Sequence, residues 1–128
     1  MSVPRRTKRM KPERADMIAL FDYIELKYPD EWHTSFHIPN EGKRNPVEGQ
    51  LLKRMGLKAG APDMLMLVAR KGYYGLAVEH KAKQKNGIFG KPTQKQLACL
   101  TNISAQGYFT KVTYGLDDAI ATIDWYLG

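Results

Sequence analysis

The sequence of 128 residues has a single cysteine, Cys99. That excludes an intramolecular disulfide and a thiolate zinc site, and it accords with a reducing compartment. No apolar run approaches the roughly 18 residues that a membrane helix needs. The N-terminal segment Ser2-Val3-Pro4-Arg5-Arg6-Thr7-Lys8-Arg9 has no apolar stretch behind its charges to make a signal peptide. The expectation is a soluble, cytoplasmic chain with no membrane partner. Internal repeats and low-complexity tracts are absent. Gly72, Gly75, Gly87 and Gly90 lack the spacing and the Lys-Ser/Thr of a phosphate loop, so nucleotide hydrolysis has no support.

What is present is enough for one ordinary domain: 43% of residues are apolar, with seven Tyr and four Phe. The net charge of +7 is unevenly placed, because residues 1 to 95 hold 19 of the 20 Lys and Arg. Three groups stand out: Arg5, Arg6, Lys8, Arg9 and Lys11; Lys43, Arg44, Lys53, Arg54 and Lys58; Lys81, Lys83, Lys85, Lys91 and Lys95. One such group would read as a solvated surface. Three read as a face turned to a polyanion, with nucleic acid favoured because no group sits on a helix with a free bulky apolar face for lipid.

Along the chain, residues 1–12 form a basic arm closed by Pro12, expected to be flexible, and residues 13–128 form the domain. Met17, Leu20, Phe21, Ile24 and Tyr28 recur at helical spacing up to Pro29, which cannot continue a helix. Trp32, Thr34, Phe36 and Ile38 alternate as in a strand. Val47, Leu51, Leu52 and Met55 mark a short helix stopped by Gly56. The apolar run Met64 to Ala69 and the run Leu76 to Lys81 predict two strands of a hairpin. Pro92 suits the first position of a helix whose apolar face is Leu97, Leu100 and Ile103, ended by Gly107. Tyr108 to Tyr114 is rich in strand-forming residues, and Leu116, Ile120, Ile123 and Leu127 give a last helix. The order α-β-α-β-β-α-β-α implies an α/β fold with a central mixed sheet and helices on both faces.

Two carboxylates and a lysine stand where folding alone does not ask for them. Period-two alternation puts Glu79 and Lys81 on one face of a strand, with Val78 and His80 on the other. Asp63 opens the partner strand directly after Gly60-Ala61-Pro62, a place it could also hold as a turn residue. Like charges this close repel unless a cation lies between them, which makes a hard-metal site with oxygen ligands plausible. Glu13 shares a helix face with Met17, Leu20 and Ile24, so this acid points coreward and needs a partner; the plainer alternative is an acid favouring the helix dipole. His33 and His37 have the spacing of a zinc helix, but in a strand they lie more than ~13 Å apart. Cys99, beside an apolar helix face with no base near it, packs.

Pro62-Asp63, 15 residues, then Glu79-His80-Lys81 matches the PD-(D/E)xK pattern of metal-dependent nucleases. With His37-Ile38-Pro39-Asn40, Gly56 to Asp63, Gly75 to Lys81, Pro92-Thr93-Gln94 and Gly107-Tyr108, the stretch from Glu13 to Leu127 resembles the virus-type replication-repair nuclease (VRR-NUC) family, found as stand-alone phage and bacterial proteins. The resemblance implies a restriction-endonuclease-like core and Mg²⁺- or Mn²⁺-dependent cleavage of branched DNA, of Holliday-junction or flap type, in DNA repair. It assigns Asp63 and Glu79 as metal ligands, with the main-chain carbonyl of His80 and, from the first helix, Glu13. Lys81 becomes the catalytic lysine and Gln94 a further site residue, an assignment that rests on the resemblance alone since Gln96 lies nearer the helix's apolar face. Stand-alone members are expected to act as homodimers, two sites cutting two strands. The chain departs from the family pattern at His80, where Leu or Ile is frequent, at Met17, where Gln is, and at Glu41, where Gly is.

For DNA contact the sequence nominates Arg5, Arg6, Lys8, Arg9, Lys43, Arg44, Lys53, Arg54, Lys83 and Lys85. These carry no base-edge signature and fit recognition of shape over sequence. The rival reading is a non-catalytic nucleic-acid-binding module on the same fold. It leaves Asp63, Glu79 and Lys81 unexplained, since carboxylates beside bound phosphate would only weaken binding.

Overall fold

The computed structural model describes residues 10–39 and 45–128. Arg5, Arg6, Lys8, Arg9, Lys43 and Arg44 lie outside them, as does most of the expected arm. The elements are α1 (Pro12–Lys27), α2 (Pro29–Trp32), β1 (Ser35–His37), α3 (Pro46–Arg54), β2 (Met64–Met66), β3 (Leu76–Lys81), α4 (Gln94–Ser104), β4 (Phe109–Tyr114) and α5 (Leu116–Leu127). The four strands lie in the order β1-β2-β3-β4, antiparallel for the first two pairings and parallel between β3 and β4. The parallel pair needs a crossover, which α4 provides.

The expected α/β architecture is present, with two local corrections. Trp32 belongs to α2 and not to a strand, because Pro29, which ends α1, also fits the first position of a new helical turn. The strand begins only at Ser35, after the Ser35 hydroxyl has donated to the Glu31 carbonyl at 2.8 Å. Pro92 precedes α4 without opening it. Thr93 is the N-cap, its hydroxyl accepting from the Gln96 N–H while the Gln96 side chain accepts from the Thr93 N–H, and this reciprocal pair sets the helix start. The short helix marked by Val47, Leu51, Leu52 and Met55 is α3, which buries none of its residues: Val47 and Leu51, and Met55 at its C-cap, are exposed.

The main core lies on one face of the sheet. Met17, Leu20 and Ile24 of α1 and Ala119, Ile123 and Tyr126 of α5 cover Met64, Met66, Leu76 and Val78. Each such large side chain contributes about 1.5 to 3 kcal/mol through burial. Tyr126 was not legible in the spacing of α5, yet it is fully buried, and its hydroxyl donates to the Val68 carbonyl at 2.6 Å. At the surface, Asp124 of α5 accepts from Tyr23, Tyr28 and Lys27, latching α1 to α5. The hydrogen bonds from Tyr28 and then Tyr23 hold its carboxyl below the usual range. On the opposite face α4 packs against β3 and β4.

The loop leading into β2 is held against α4. Gly60 has φ of +88°, and a Cβ there would lie 2.6 Å from the Lys95 main-chain carbon and oxygen. Both the left-handed conformation and the close approach require glycine. Gly60→Ala is therefore expected to cost on the order of 2 kcal/mol or more, read as a lower urea midpoint. An unchanged midpoint would show that the loop is not clamped to α4.

Candidate active site

Asp63 and Glu79 come together because of strand register. Met64 pairs with Val78 across the antiparallel β2–β3 ladder, so continuing the pairing by one residue sets Asp63 opposite Glu79. Alternation then turns Ala77, Glu79 and Lys81 to the α4 side of β3, and Val78 and His80 to the α1 and α5 side, as expected. Every residue of β3 is buried. The main-chain N–H of His80 donates to Asp63 Oδ2 at 2.7 Å, fixing that carboxylate. Lys81 Nζ lies 3.5 Å from Glu79 Oε2. The other Glu79 oxygen, Oε1, is buried without a hydrogen-bond partner.

The electrostatics follow from this packing. Burial, together with the charge and hydrogen bond of neighbouring Asp63, pushes Glu79 from 4.5 up to about 8, although the Lys81 ammonium pulls the other way. A proton thus takes up the repulsion that a cation would relieve. The donor chemistry fits a hard divalent ion: two carboxylates, one with an idle buried oxygen, beside a main-chain carbonyl. Among the described residues no three His, Cys, Asp or Glu side chains are grouped to hold a metal.

Glu13 is half-buried and lines a cavity of about 360 Å³ together with Arg14, Met17, Ile18, His37, Pro39, Asp63 and His80. The structure therefore brings Glu13 to the rim of the same site. Lys81 pairs with Glu79 and not with Glu13. Gln94 is exposed in the first turn of α4, and no hydrogen bond joins it to the carboxylates or to Lys81. Lys53, Arg54, Lys83 and Lys85 are exposed, the first two on α3 and the last two beyond β3.

Sequence reasoning missed Asp16. The His80 ring is only 2% exposed, with Nε2 2.8 Å from Asp16 Oδ2 and Nδ1 2.7 Å from Thr113 Oγ1. A carboxylate only accepts, so Nε2 carries hydrogen toward Asp16, and the hydroxyl can serve Nδ1 in either role. The signal was available: a buried histidine on a core-facing strand position demands two partners, and Asp16 lies on the first helix three residues after Glu13. His37 lines the cavity while its Nδ1 sits 2.8 Å from the Asp63 carbonyl.

Neither family models nor curated proteins yield a match to this sequence. Among solved structures, a VRR_NUC domain protein is similar with a TM-score of 0.76 and 25% identity, over 91% of this chain and 88% of that one.

Two outcomes test the site. Because the Glu79 carboxyl titrates higher in the folded than in the unfolded chain, the stability due to its protonation is complete below about 4.5 and is lost as pH rises through about 8. The midpoint of metal-free protein should fall across that window, and Glu79→Gln should flatten the fall; parallel slopes would refute the buried, raised carboxyl. Asp16→Ala should cost about 1 to 3 kcal/mol in denaturant unfolding, by stranding a buried ring nitrogen. A loss below about 0.5 kcal/mol would show that Asp16 is an ordinary surface acid.

Proposed function

We infer that the chain is a VRR-NUC-type, divalent-metal-dependent DNA endonuclease acting on branched DNA, a reading supported by the likeness of its fold to that of a solved VRR_NUC domain protein. The nuclease-like fold supports DNA as the partner. The observation that carries the finer reading is the buried Glu79 Oε1 with no partner, next to Asp63 and within reach of Lys81. A binding module has no use for that arrangement, because it holds negative charge where phosphate must come.

Asp63 and Glu79 would hold Mg²⁺ or Mn²⁺ with the His80 carbonyl, and Glu13 stands at the rim of the adjoining cavity. The chemistry supplied by such an ion is charge neutralisation at the phosphate and acidification of water. Lys81, fixed by Glu79, donates toward the attacking water or toward charge building on the phosphoryl oxygens. The His80 N–H keeps Asp63 from swinging away when Glu79 loses its proton. Lys83 and Lys85, with Arg5, Arg6, Lys8, Arg9, Lys43, Arg44, Lys53 and Arg54, would grip the backbone and read DNA shape. A twofold homodimer would present two such sites to the two strands of a junction. No described helix is long and apolar enough to cross a membrane.

Fluorescent four-way, flapped and linear DNAs incubated with Mg²⁺, Mn²⁺ or EDTA test this reading, with cleavage expected only with metal and preferentially on the branched forms. Asp63→Ala and Glu79→Ala should abolish cleavage and leave DNA binding intact or tighter, since each removes a ligand and an anion at once. Wild-type cleavage by either variant at saturating Mg²⁺ would dismiss the site. Lys81→Met should keep Mn²⁺ binding while slowing single-turnover cleavage about 10²- to 10³-fold, the scale of losing one charge-stabilising donor. A change of only a few-fold would make Lys81 a backbone-gripping residue.

A further inference from the structure

The segment that leaves β3 after Lys81 is folded back on itself. Lys83 bridges Phe89, the Gln84 N–H donates to the Ile88 carbonyl at 2.9 Å, and the Gly87 N–H donates to the Gln84 carbonyl at 2.9 Å. The Ile88 N–H is held by Asn86 Oδ1 at 3.0 Å, and Gly87 supplies the left-handed turn with φ of +81°. The base of this loop is fastened too. Phe89 meets the Tyr114 ring edge-on at 5.9 Å between centroids and carries Lys83 Nζ over its face at 5.7 Å. Gly90 lies against the Lys81 side chain. A turn pinned at both ends thus holds Ile88 out to solvent, 65% exposed.

Three observations tie this tip to a nucleic acid. The first is charge: between Glu79 and Asp117 the sequence has no acidic residue, while it carries Lys81, Lys83, Lys85, Lys91, Lys95 and Lys111. The second is position, since Gln84, Lys85 and Asn86 form one wall of a cleft of about 640 Å³ whose other wall is Met10, Lys11, Pro12 and Glu13. Glu13 also lines the cavity that Asp63 lines, so the cleft adjoins that cavity. The third is the character of the tip. An aliphatic side chain on a rigid mount, flanked by lysines that neutralise backbone, has the chemistry of the wedges that enter between base steps and unstack them.

We propose that the Lys83–Lys91 loop is a wedge whose Ile88 side chain inserts at the branch or frayed end of a DNA duplex, while Lys83 and Lys85 hold the flanking phosphates and one strand is led through the cleft toward Asp63 and Glu79. This rests on the reading of the chain as a DNA-acting nuclease and adds the origin of its preference for branched forms. A tip of this kind is favoured where stacking is already interrupted, because the cost of opening a base step is least there.

The test uses the full chain in EDTA, so that binding is separated from cleavage, with flapped and linear DNA carrying 2-aminopurine at the branch or mid-duplex. The wild-type protein should raise the fluorescence of the branch probe several-fold at saturation and leave the linear probe unchanged. Ile88→Ser, at an exposed position, should lose most of that rise while its affinity falls by no more than about threefold, and Ile88→Met should restore it. Lys85→Ala should weaken binding to every DNA form and reduce the slope of log K against log salt by about 0.9 per phosphate contact, leaving the rise at saturation. An equal rise with Ile88→Ser overturns the wedge while the nuclease reading stands on the separate Mn²⁺ cleavage assay. Absence of DNA binding by the wild-type chain overturns both.

Discussion

Two carboxylates pressed together inside a protein set the terms for everything around them. Asp63 and Glu79 meet across adjacent strands where Glu79 is buried and Asp63 half-buried, so the repulsion between them is relieved by a proton on Glu79 or by a cation between them. Holding such a pair in contact requires a rigid frame, since either side chain would otherwise rotate outward. The frame is β3, buried along its whole length and paired on both sides. Its backbone contributes directly, through the His80 N–H on Asp63, and its next outward residue contributes Lys81. Loop 60–63 must then deliver Asp63 in register, which is why Gly60 is wedged against the main chain of α4.

The first helix lines the cavity beside Asp63 from the opposite side. Its position is fixed by three buried side chains, by the Asp124 latch to α5, and by Asp16 on the His80 ring. The last of these is the most consequential, because it links the helix that carries Glu13 to the very strand residue whose N–H holds Asp63. A shift of α1 along its axis would break a buried polar contact, which costs more than the exposed latch at Asp124. Glu13 is therefore carried on an element with little freedom to slide, although its own side chain is only half-buried.

How much of this was readable beforehand depends on which interactions were local. The hairpin around Lys71 and Gly72, with φ of 54° and 84°, follows from strand patterns on either side of a turn that needs left-handed residues. The face assignments of Glu79, Lys81 and His80 follow from a period of two. What failed were boundaries set by competing local chemistry: a proline that both ends and starts a helix, and a Thr-Gln capping pair that outranked Pro92. The exposure of Val47, Leu51 and Met55 could not be read either, since amphipathic spacing reports a helix and is silent on whether another element covers its apolar side. Asp16 escaped for a different reason. Its role depends on a contact with His80 from 64 residues away, and no spacing rule reports such a contact; only the demand of a buried imidazole for two partners does.

That demand explains the departure at position 80. An aliphatic residue there would meet the core with no polar requirement, and Asp16 and Thr113 would then be a buried-edge acid and a buried hydroxyl without purpose. With histidine, all three become interdependent: removing the ring strands a carboxylate and a hydroxyl, and removing either partner strands a ring nitrogen. The exchange replaces non-directional packing by two directed hydrogen bonds, at 2.7 and 2.8 Å, that fix the rotation of the strand residue as well as its depth. For most strand positions such rotational control would be redundant. At this one the main-chain N–H points at Asp63, so a few degrees of twist in the peptide change the length of the bond that keeps the two carboxylates together. The polar trio is accordingly tied to Asp63 through the backbone of β3, from the face opposite Glu79 and Lys81.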